Sequence, residues 1–402
     1  MSFSHLYGTN RTDSEAKARF LALADNFKDK KGLRFYSSSG RAEILGNHTD
    51  HNHGKVLVAA ISCDIAACVK KTDNNTVTVQ SEGYREIVVD LNDLEPKKEE
   101  YGTSTALVRG VARALKDRGY SFGGFTAYST SDIFKGAGVS SSAAFEVLIA
   151  EIFNDLYLGG KLTAVQKAIV SQYAENVFFG KPCGLLDQSG IAIGALSKLD
   201  FNVPEQPEIN KLPLIEGYSL VITNTGGNHA ALTPHYAAIR EEMHSVAGHF
   251  GKQFLRDVDY AEFLNEIPAI AKKLPDRAIL RAIHFYNENV RVENAARAIT
   301  AGDIPTFLNC VNGSGLSSLS LLQNCYVPGE TTQPVVLGTE VSREIIKDGA
   351  VRVHGGGFAG SILAIVADGE TAAYAAQMQR LFGKENVFIA TIREPGTTRV
   401  DI

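Results

Sequence analysis

The sequence predicts an α+β fold in two domains. Strand-like and helix-like stretches are mixed along the chain without the regular β-α alternation of a doubly wound sheet. The length, 402 residues, amounts to two or three domains. Residues 199–214 are rich in Pro, Asn and Glu and show no periodicity, which reads as a boundary. Residues 1–213 and 214–402 are accordingly taken as the two domains.

Taken in order, Asp13 to Lys28 places Ala16, Phe20, Leu21, Leu23 and Ala24 at helical spacing. Val56 to Ile61 reads as a buried strand. Val77 to Val79 and Ile87 to Val89 read as a hairpin around a polar turn. Thr103 to Lys116 reads as a helix and Gly123 to Tyr128 as a strand. A glycine-rich loop, Lys135 to Ser142, precedes a helix over Ala143 to Tyr157. Thr163 with Gln166 forms a capping box for a helix reaching about Phe179. In the second half, Ser219 to Asn224 is a strand, and Ala238 to His249 and Asp276 to Thr300 are helices. Strands at Ala350 to Val353 and Ser361 to Val366 flank a glycine cluster. No repeat of solenoid length is present.

Composition excludes several classes. Hydrophobic residues are 44% and charged residues 21%, close to ordinary globular proteins and unlike disordered chains. A net charge of −5 offers no bulk attraction to nucleic acid or anionic lipid, so neither is an expected partner. Met1 to Asp13 is polar, without the apolar core of a signal peptide. Val56 to Val69 is broken by Asp64 and too short to span a membrane. The five cysteines are scattered and contain no C-x-x-C pair, which fits a reducing cytoplasm.

Three clusters carry chemistry. In Lys135-Gly-Ala-Gly-Val-Ser-Ser-Ser-Ala-Ala144, glycines let backbone approach a ligand, and the following helix aims free N–H groups at it. Polyphosphate binding is one reading, and tight packing of small residues at a helix start is the other. The loop lacks the Gly-Lys-Ser/Thr ending of a Walker loop. Gly355 to Gly360 matches G-x-G-x-x-G, but a strand follows where a dinucleotide site needs a helix. It reads instead as a tight turn whose backbone nears another loop or a ligand.

The second cluster, Gly40 to Gly54, is dense in short polar side chains that suit a polyhydroxylated ligand. A metal held by His48, Asp50, His51 and His53 is the competing chemistry, and a solvated loop the plain one. The third is Tyr173 to Gln188. There Glu175 sits on a helix, and Asp187 follows a Pro-Cys-Gly turn, as a base or as a helix N-cap.

These motifs, in this order, resemble the GHMP small-molecule kinases, and within them the galactokinases. The resemblance spans nearly the whole chain: Gly-Arg…Gly-x-His-Thr-Asp near residue 41, Gly-Val-Ser-Ser-Ser-Ala at 138, and Ala-Glu…Phe-Gly-x-Pro-Cys-Gly-x-x-Asp-Gln near 174. His284-x-x-x-Glu-Asn-x-Arg-Val and Gly355-Gly-Gly-Phe-x-Gly complete it. The resemblance implies a two-lobed fold with a mixed-sheet N-terminal domain, a ferredoxin-like α/β C-terminal domain, and the active site in the cleft between them. It implies ATP with Mg2+, phosphorylation of the anomeric hydroxyl of a hexose, and a monomer whose partners are small molecules. Carried over by position, Asp187 is the catalytic base and Arg41 its cationic partner. Ser141 and Glu175 are the magnesium pair. Gly136, Ala137, Gly138, Val139, Ser140, Ser141 and Ser142 form the phosphate loop. Arg41, Asn47, His48, Asp50, Gly184, Asp187 and Tyr236 meet the sugar.

The chain departs from the galactokinase pattern at one place. The family reads Gly-Glu-His-Thr-Asp-Tyr, with an Asn four residues before the Glu. Here Asn47 replaces that Glu, His51 the Tyr, and Glu43 the Asn. The missing glutamate is implied at the C6 end of galactose. Its loss leaves galacturonate as an alternative substrate, because a C6 carboxylate would be repelled by Glu and tolerated by Asn. A non-catalytic sugar or ATP sensor is a further alternative. The intact Arg41, Ser141, Glu175 and Asp187 weigh against it.

Overall fold

The computed structural model describes residues 2–133, 138–227, 232–358 and 360–402. A short helix α1 (Ser4–Tyr7) leads to α2 (Asp13–Ala24), where Thr12 and Glu15 form a reciprocal capping box. This helix ends before the expected Lys28, because the Asn26 side chain turns back to bond the carbonyls of Ala22 and Leu23. Strand β1 (Arg34–Leu45) runs antiparallel to β2 (Lys55–Lys71), and the hairpin β3 (Thr76–Ser81) and β4 (Ile87–Asp90) follows. Next come α3 (Ser104–Asp117), β5 (Phe125–Ser131), α4 (Ser141–Tyr157) and α5 (Ala164–Tyr173), the last opened by the expected Thr163–Gln166 capping box. Beyond Tyr173 the helix widens into π turns over Ala174–Phe179. Such widenings are frequent at functional sites. Helix α6 (Leu186–Ile193) and strands β6 (Leu196–Asp200) and β7 (Glu208–Leu212) complete this half.

Residues 199–214, which the sequence reads as a domain boundary, belong largely to the β6–β7 hairpin. Strand β7 is exposed along nearly its whole length, so no apolar alternation marks it. The sheet order is β4-β3-β5-β2-β1, with β6 and β7 added beside the first half of β2. Only β3–β5 is parallel, so the sheet is mixed. Helices α4 and α6 pack on β1 and β2, and α3 and α5 pack on those helices.

The second half opens with β8 (Tyr218–Asn224), then α7 (Thr233–His249), α8 (Tyr260–Ile270), α9 (Asp276–Ala301), α10 (Ile304–Ser317) and α11 (Pro334–Ile345). Strands β9 (Gly349–His354) and β10 (Ser361–Ala367), helix α12 (Asp368–Phe382) and strand β11 (Val387–Ala390) follow. The sheet order β11-β8-β10-β9 is antiparallel throughout and has the ferredoxin-like 4-1-3-2 arrangement. The chain then returns to the first sheet, where β12 (Thr398–Val400) pairs with β1. Its last residues therefore lie with the first half, not with the 214–402 unit into which the sequence places them.

Candidate active site

The first polar cluster is not the expected loop. Gly40 to Leu45 continue β1, and only Gly46 to Gly54 turn. Successive strand side chains point to opposite faces. Ala42 and Ile44 enter the core, while Arg41 and Glu43 line a cleft of about 560 Å³ between the two sheets. Arg41 Nε and Nη2 each lie 2.8 Å from Asp187 Oδ1. Asp187 stands in the first turn of α6, and its other oxygen accepts from the Ser140 hydroxyl. Burial pushes the Asp187 carboxyl up. The Arg41 charge, bonds from Ser140 and Arg41, and the more distant Lys181 together hold it below the ordinary carboxylate value. Its side chain remains 29% exposed, toward the cleft. This is an ionised carboxylate with cationic support, open to a ligand.

The structure describes the expected phosphate loop from Gly138 onward. Gly136 and Ala137 lie outside the described residues. Gly138 and Ser140 both take positive φ, and α4 begins at Ser141, so the start of a long helix faces the cleft. Val139 is buried, and its carbonyl accepts from Arg41 N at 3.2 Å. The Gly138 carbonyl accepts from Arg41 Nη1. The strand–glycine–strand reading of Gly355 to Gly360 also holds. This turn joins β9 to β10, and a Cβ at Gly355 would lie 3.3 Å from the Gly138 carbonyl oxygen.

Glu175 is bonded to a different serine from the expected Ser141. Ser141, the expected partner of Glu175, is exposed at the first turn of α4. Ser142 is the serine that donates to Glu175 Oε1, at 3.1 Å. The helix turns its successive residues about its axis, so one step in sequence decides which hydroxyl faces the carboxylate. Around Glu175 lies a group that the sequence reading did not assemble. Lys181 Nζ lies 3.1 Å from Oε1, Gln188 Nε2 donates to Oε2 at 2.7 Å, and the Cys183 thiol sits 3.4 Å from it. Gln188 Nε2 also donates to Glu146 at 3.0 Å. Burial, then the neighbouring Glu175 charge, push the Glu146 carboxyl well up, and its Oε2 is buried without a partner. The residues fit a hard cation, which takes oxygen ligands such as a hydroxyl and a carboxylate.

The sugar-side candidates His48, Asp50, Gly184 and Tyr236 line the same cleft. Asp50 accepts the Leu186 N–H at 3.1 Å, at the start of α6, and the His51 N–H at 3.0 Å. Burial raises its carboxyl to about 6 against the pull of the Leu186 bond. A Cβ on Gly184 would lie 2.0 Å from Asp50 Oδ2, so this backbone can approach only as glycine. His48 Nε2 is 3.0 Å from the Gly356 carbonyl, and burial lowers its pKa. Tyr236, on α7, donates to the Gly357 carbonyl at 3.1 Å, and its ring occupies the space a side chain at 356 would need.

Asn47 differs from expectation. It is wholly buried, and its amide is fully engaged. Nδ2 donates to Glu43 Oε1 and the Gly355 carbonyl, both at 2.8 Å. Oδ1 accepts from Asn324 at 2.8 Å and Ser318 at 3.3 Å. The histidines do not gather around a metal. His53 stacks on Phe254 at 3.7 Å, His51 Nδ1 meets Asn52, and among the described residues no metal-holding group of His, Cys, Asp or Glu forms. The loop is held from α9, where His284 Nε2 donates to the Asn47 carbonyl at 2.9 Å and Glu288 accepts the Gly46 N–H at 3.0 Å.

The chain is similar to known proteins over most of its length. Residues 106–195 match the GHMP kinases N-terminal domain, and residues 22–71 match the galactokinase galactose-binding signature. Galactokinase of Actinobacillus pleuropneumoniae serotype 5b is 31% identical over 346 residues, covering 82% of this chain and 84% of that protein. The serotype 3 galactokinase is likewise 31% identical, over 344 residues, with the same coverage. The crystal structure of Lactococcus lactis galactokinase complexed with galactose superposes with a TM-score of 0.83 at 25% identity, covering 96% of this chain and all of that one. A D-glycero-D-manno-heptose 1-phosphate kinase shares the fold at 15% identity, with a TM-score of 0.62. With its motifs, its cleft and these relatives in agreement, the chain belongs to the galactokinase family of the GHMP kinases.

Proposed function

We propose that this protein is an ATP-dependent galactokinase that phosphorylates the anomeric hydroxyl of galactose. The observation that carries the reading is the Arg41–Asp187–Ser140 constellation, opening into the same cleft as the start of α4. Asp187, ionised at neutral pH, accepts a hydrogen bond from the anomeric hydroxyl and orients it. It takes that proton as the new bond to phosphorus forms. A weak base suffices because phosphoryl transfer passes through a loose transition state, in which the hydroxyl loses its proton late. Arg41 holds the carboxylate and faces the place where charge develops on the transferring group. The loop from Gly138 to Ser142 and the N-terminal end of α4 offer backbone N–H groups to the phosphates. Magnesium, when bound, neutralises phosphate oxygens, and Ser142 with Glu175 would hold it, rather than Ser141. His48, Asp50, Gly184 and Tyr236 shape the sugar end, and Asn47 acts there through Glu43. The two lobes are residues 1–213, joined by the returning tail, and the remainder of 214–402. The five free cysteines support a reducing cytoplasm.

The test is ATP-dependent phosphorylation measured across galactose, galacturonate, glucose, N-acetylgalactosamine and arabinose. Galactose is the expected preferred substrate. Preference for galacturonate would replace the substrate. Binding of galactose and ATP without turnover would make the protein a sensor.

A further inference from the structure

The negative charge absent from position 47 has not left the cleft. Glu43 lies two residues beyond Arg41 on β1, in uninterrupted register: Arg41 pairs with Ala60 and Glu43 with Val58. Residues two apart share a strand face and stand roughly 6.6 Å apart along it. One pyranose ring has about that reach from its anomeric oxygen to the far substituent, so a sugar reacting beside Arg41 and Asp187 extends its far end toward Glu43. His48 and Asp50, also in the lining, are close enough for the Glu43 charge to act on both.

The carboxylate is held, and among the described residues only one of its oxygens is used. Oε1 accepts from Asn47 Nδ2 at 2.8 Å and from Arg352 Nη2 at 3.0 Å. Arg352 is fully buried, and its Nη1 also donates to the carbonyls of Glu43 and Ile44, both at 3.1 Å, so the guanidinium is fixed against the strand. Oε2 accepts no hydrogen bond among the described residues, and it is not one of the sealed polar atoms lacking a partner. Asn47 has no amide hydrogen left to give.

We propose that Glu43 is the specificity-determining residue for the end of the sugar remote from the reacting hydroxyl. It confines the cleft to sugars that present a neutral hydroxyl donor there. Asn47 and Arg352 are its positioning residues. This rests on the sugar-kinase reading above. A hydroxyl at that end donates to Oε2. A carboxylate there meets a like charge across a poorly solvated gap and has no proton to give. The exchange of acid and amide between positions 43 and 47 thus keeps the discrimination while moving the residue that exerts it.

The experiment compares D-galactose, 6-deoxy-D-galactose and D-galacturonate with the wild-type protein, Glu43→Gln, and the exchanged pair Glu43→Asn/Asn47→Glu. Wild-type kcat/KM is expected to favour galactose over galacturonate by about a hundredfold or more. Glu43→Gln should bring that ratio within about tenfold, mainly through KM, and shrink the preference for galactose over 6-deoxygalactose. The exchanged pair should restore the wild-type order. A folded Glu43→Gln protein that keeps the wild-type ratios overturns the proposal, as does a wild-type protein that uses galacturonate as well as galactose. The second outcome needs no variant to fold. If no sugar is turned over, the kinase reading fails separately. Calorimetric binding of galactose against galacturonate, to wild type and Glu43→Gln, then decides the role of Glu43 by the same ratios.

Discussion

Asp187 shows how one residue is made ionised and available together. Burial alone would keep its proton on, and Arg41 and Ser140 reverse that while leaving part of the carboxylate facing the cleft. Replacing it with Asn keeps shape and removes the base. Turnover of Asp187→Asn should fall on the order of a thousandfold, with the ATP dissociation constant, read by calorimetry, within about threefold of wild type. Asp50 makes the opposite compromise. Its folded-state value of about 6 lies above the ordinary 3.8, so the fold prefers it protonated. That contribution to stability is complete below 3.8 and is lost as pH rises through 6. At pH 7, Asp50→Asn removes that charge but leaves either the Leu186 or the His51 N–H without its acceptor, so stability in chemical denaturation should stay within about 1 kcal/mol of wild type while sugar binding weakens. In the wild type, KM for the sugar should climb by up to roughly tenfold between pH 6 and pH 5 as Asp50 gains its proton. The identities of Asp187, Arg41 and Asp50 were legible because each sits in a motif of fixed spacing. Their bonding was not legible. Nothing in the order Ser140, Ser141, Ser142 says which hydroxyl meets Asp187 and which meets Glu175, because that depends on the rotation at which α4 begins.

Elements explain where the reading of the sequence went astray. Strand β1 carries Ser37, Ser38, Ser39, Arg41 and Glu43, all buried, so polarity there does not mark residues turned to water. A two-residue apolar alternation is the usual sign of a strand, and β1 hides it. Strand β7 hides it for the opposite reason, being exposed almost throughout. Helix α4 gives the element-scale prediction. Ser142→Ala should raise the magnesium concentration for half-maximal activity by about tenfold, and manganese binding followed by electron paramagnetic resonance should weaken in parallel. Ser141→Ala should change neither by more than about twofold. Helix α9 holds the sugar loop through Glu288, which is fully buried and bonded to Gly46 N, Ser314 and Arg291. Glu288→Ala should cost about 3 kcal/mol in urea denaturation, since it strands a backbone donor and a hydroxyl.

At the scale of the molecule, the two-sheet plan and its cleft were legible because five motifs in order imply them. The path of the tail was not, since three residues of β12 are too short to read as a strand. They nonetheless close the β1 edge, with Phe35 opposite Val400, and Val400 is buried with Phe3, Leu6 and Phe20. Removing residues 397–402 should lower the thermal midpoint by roughly 5 °C while leaving the sugar specificity of the remaining active protein unchanged.

The pairing of β12 with β1 also bears on synthesis. The two strands are far apart in sequence, β1 at Arg34–Leu45 and β12 at Thr398–Val400, so the sheet that β1 enters is completed only after the second lobe has been made. Until residues 398–400 arrive, the nascent protein carries β1 as an open sheet edge, ready to pair with a strand of any neighbouring chain. A product cut short before residue 398 is therefore expected to aggregate more than the full chain, which light scattering of the two in cell-free synthesis would check.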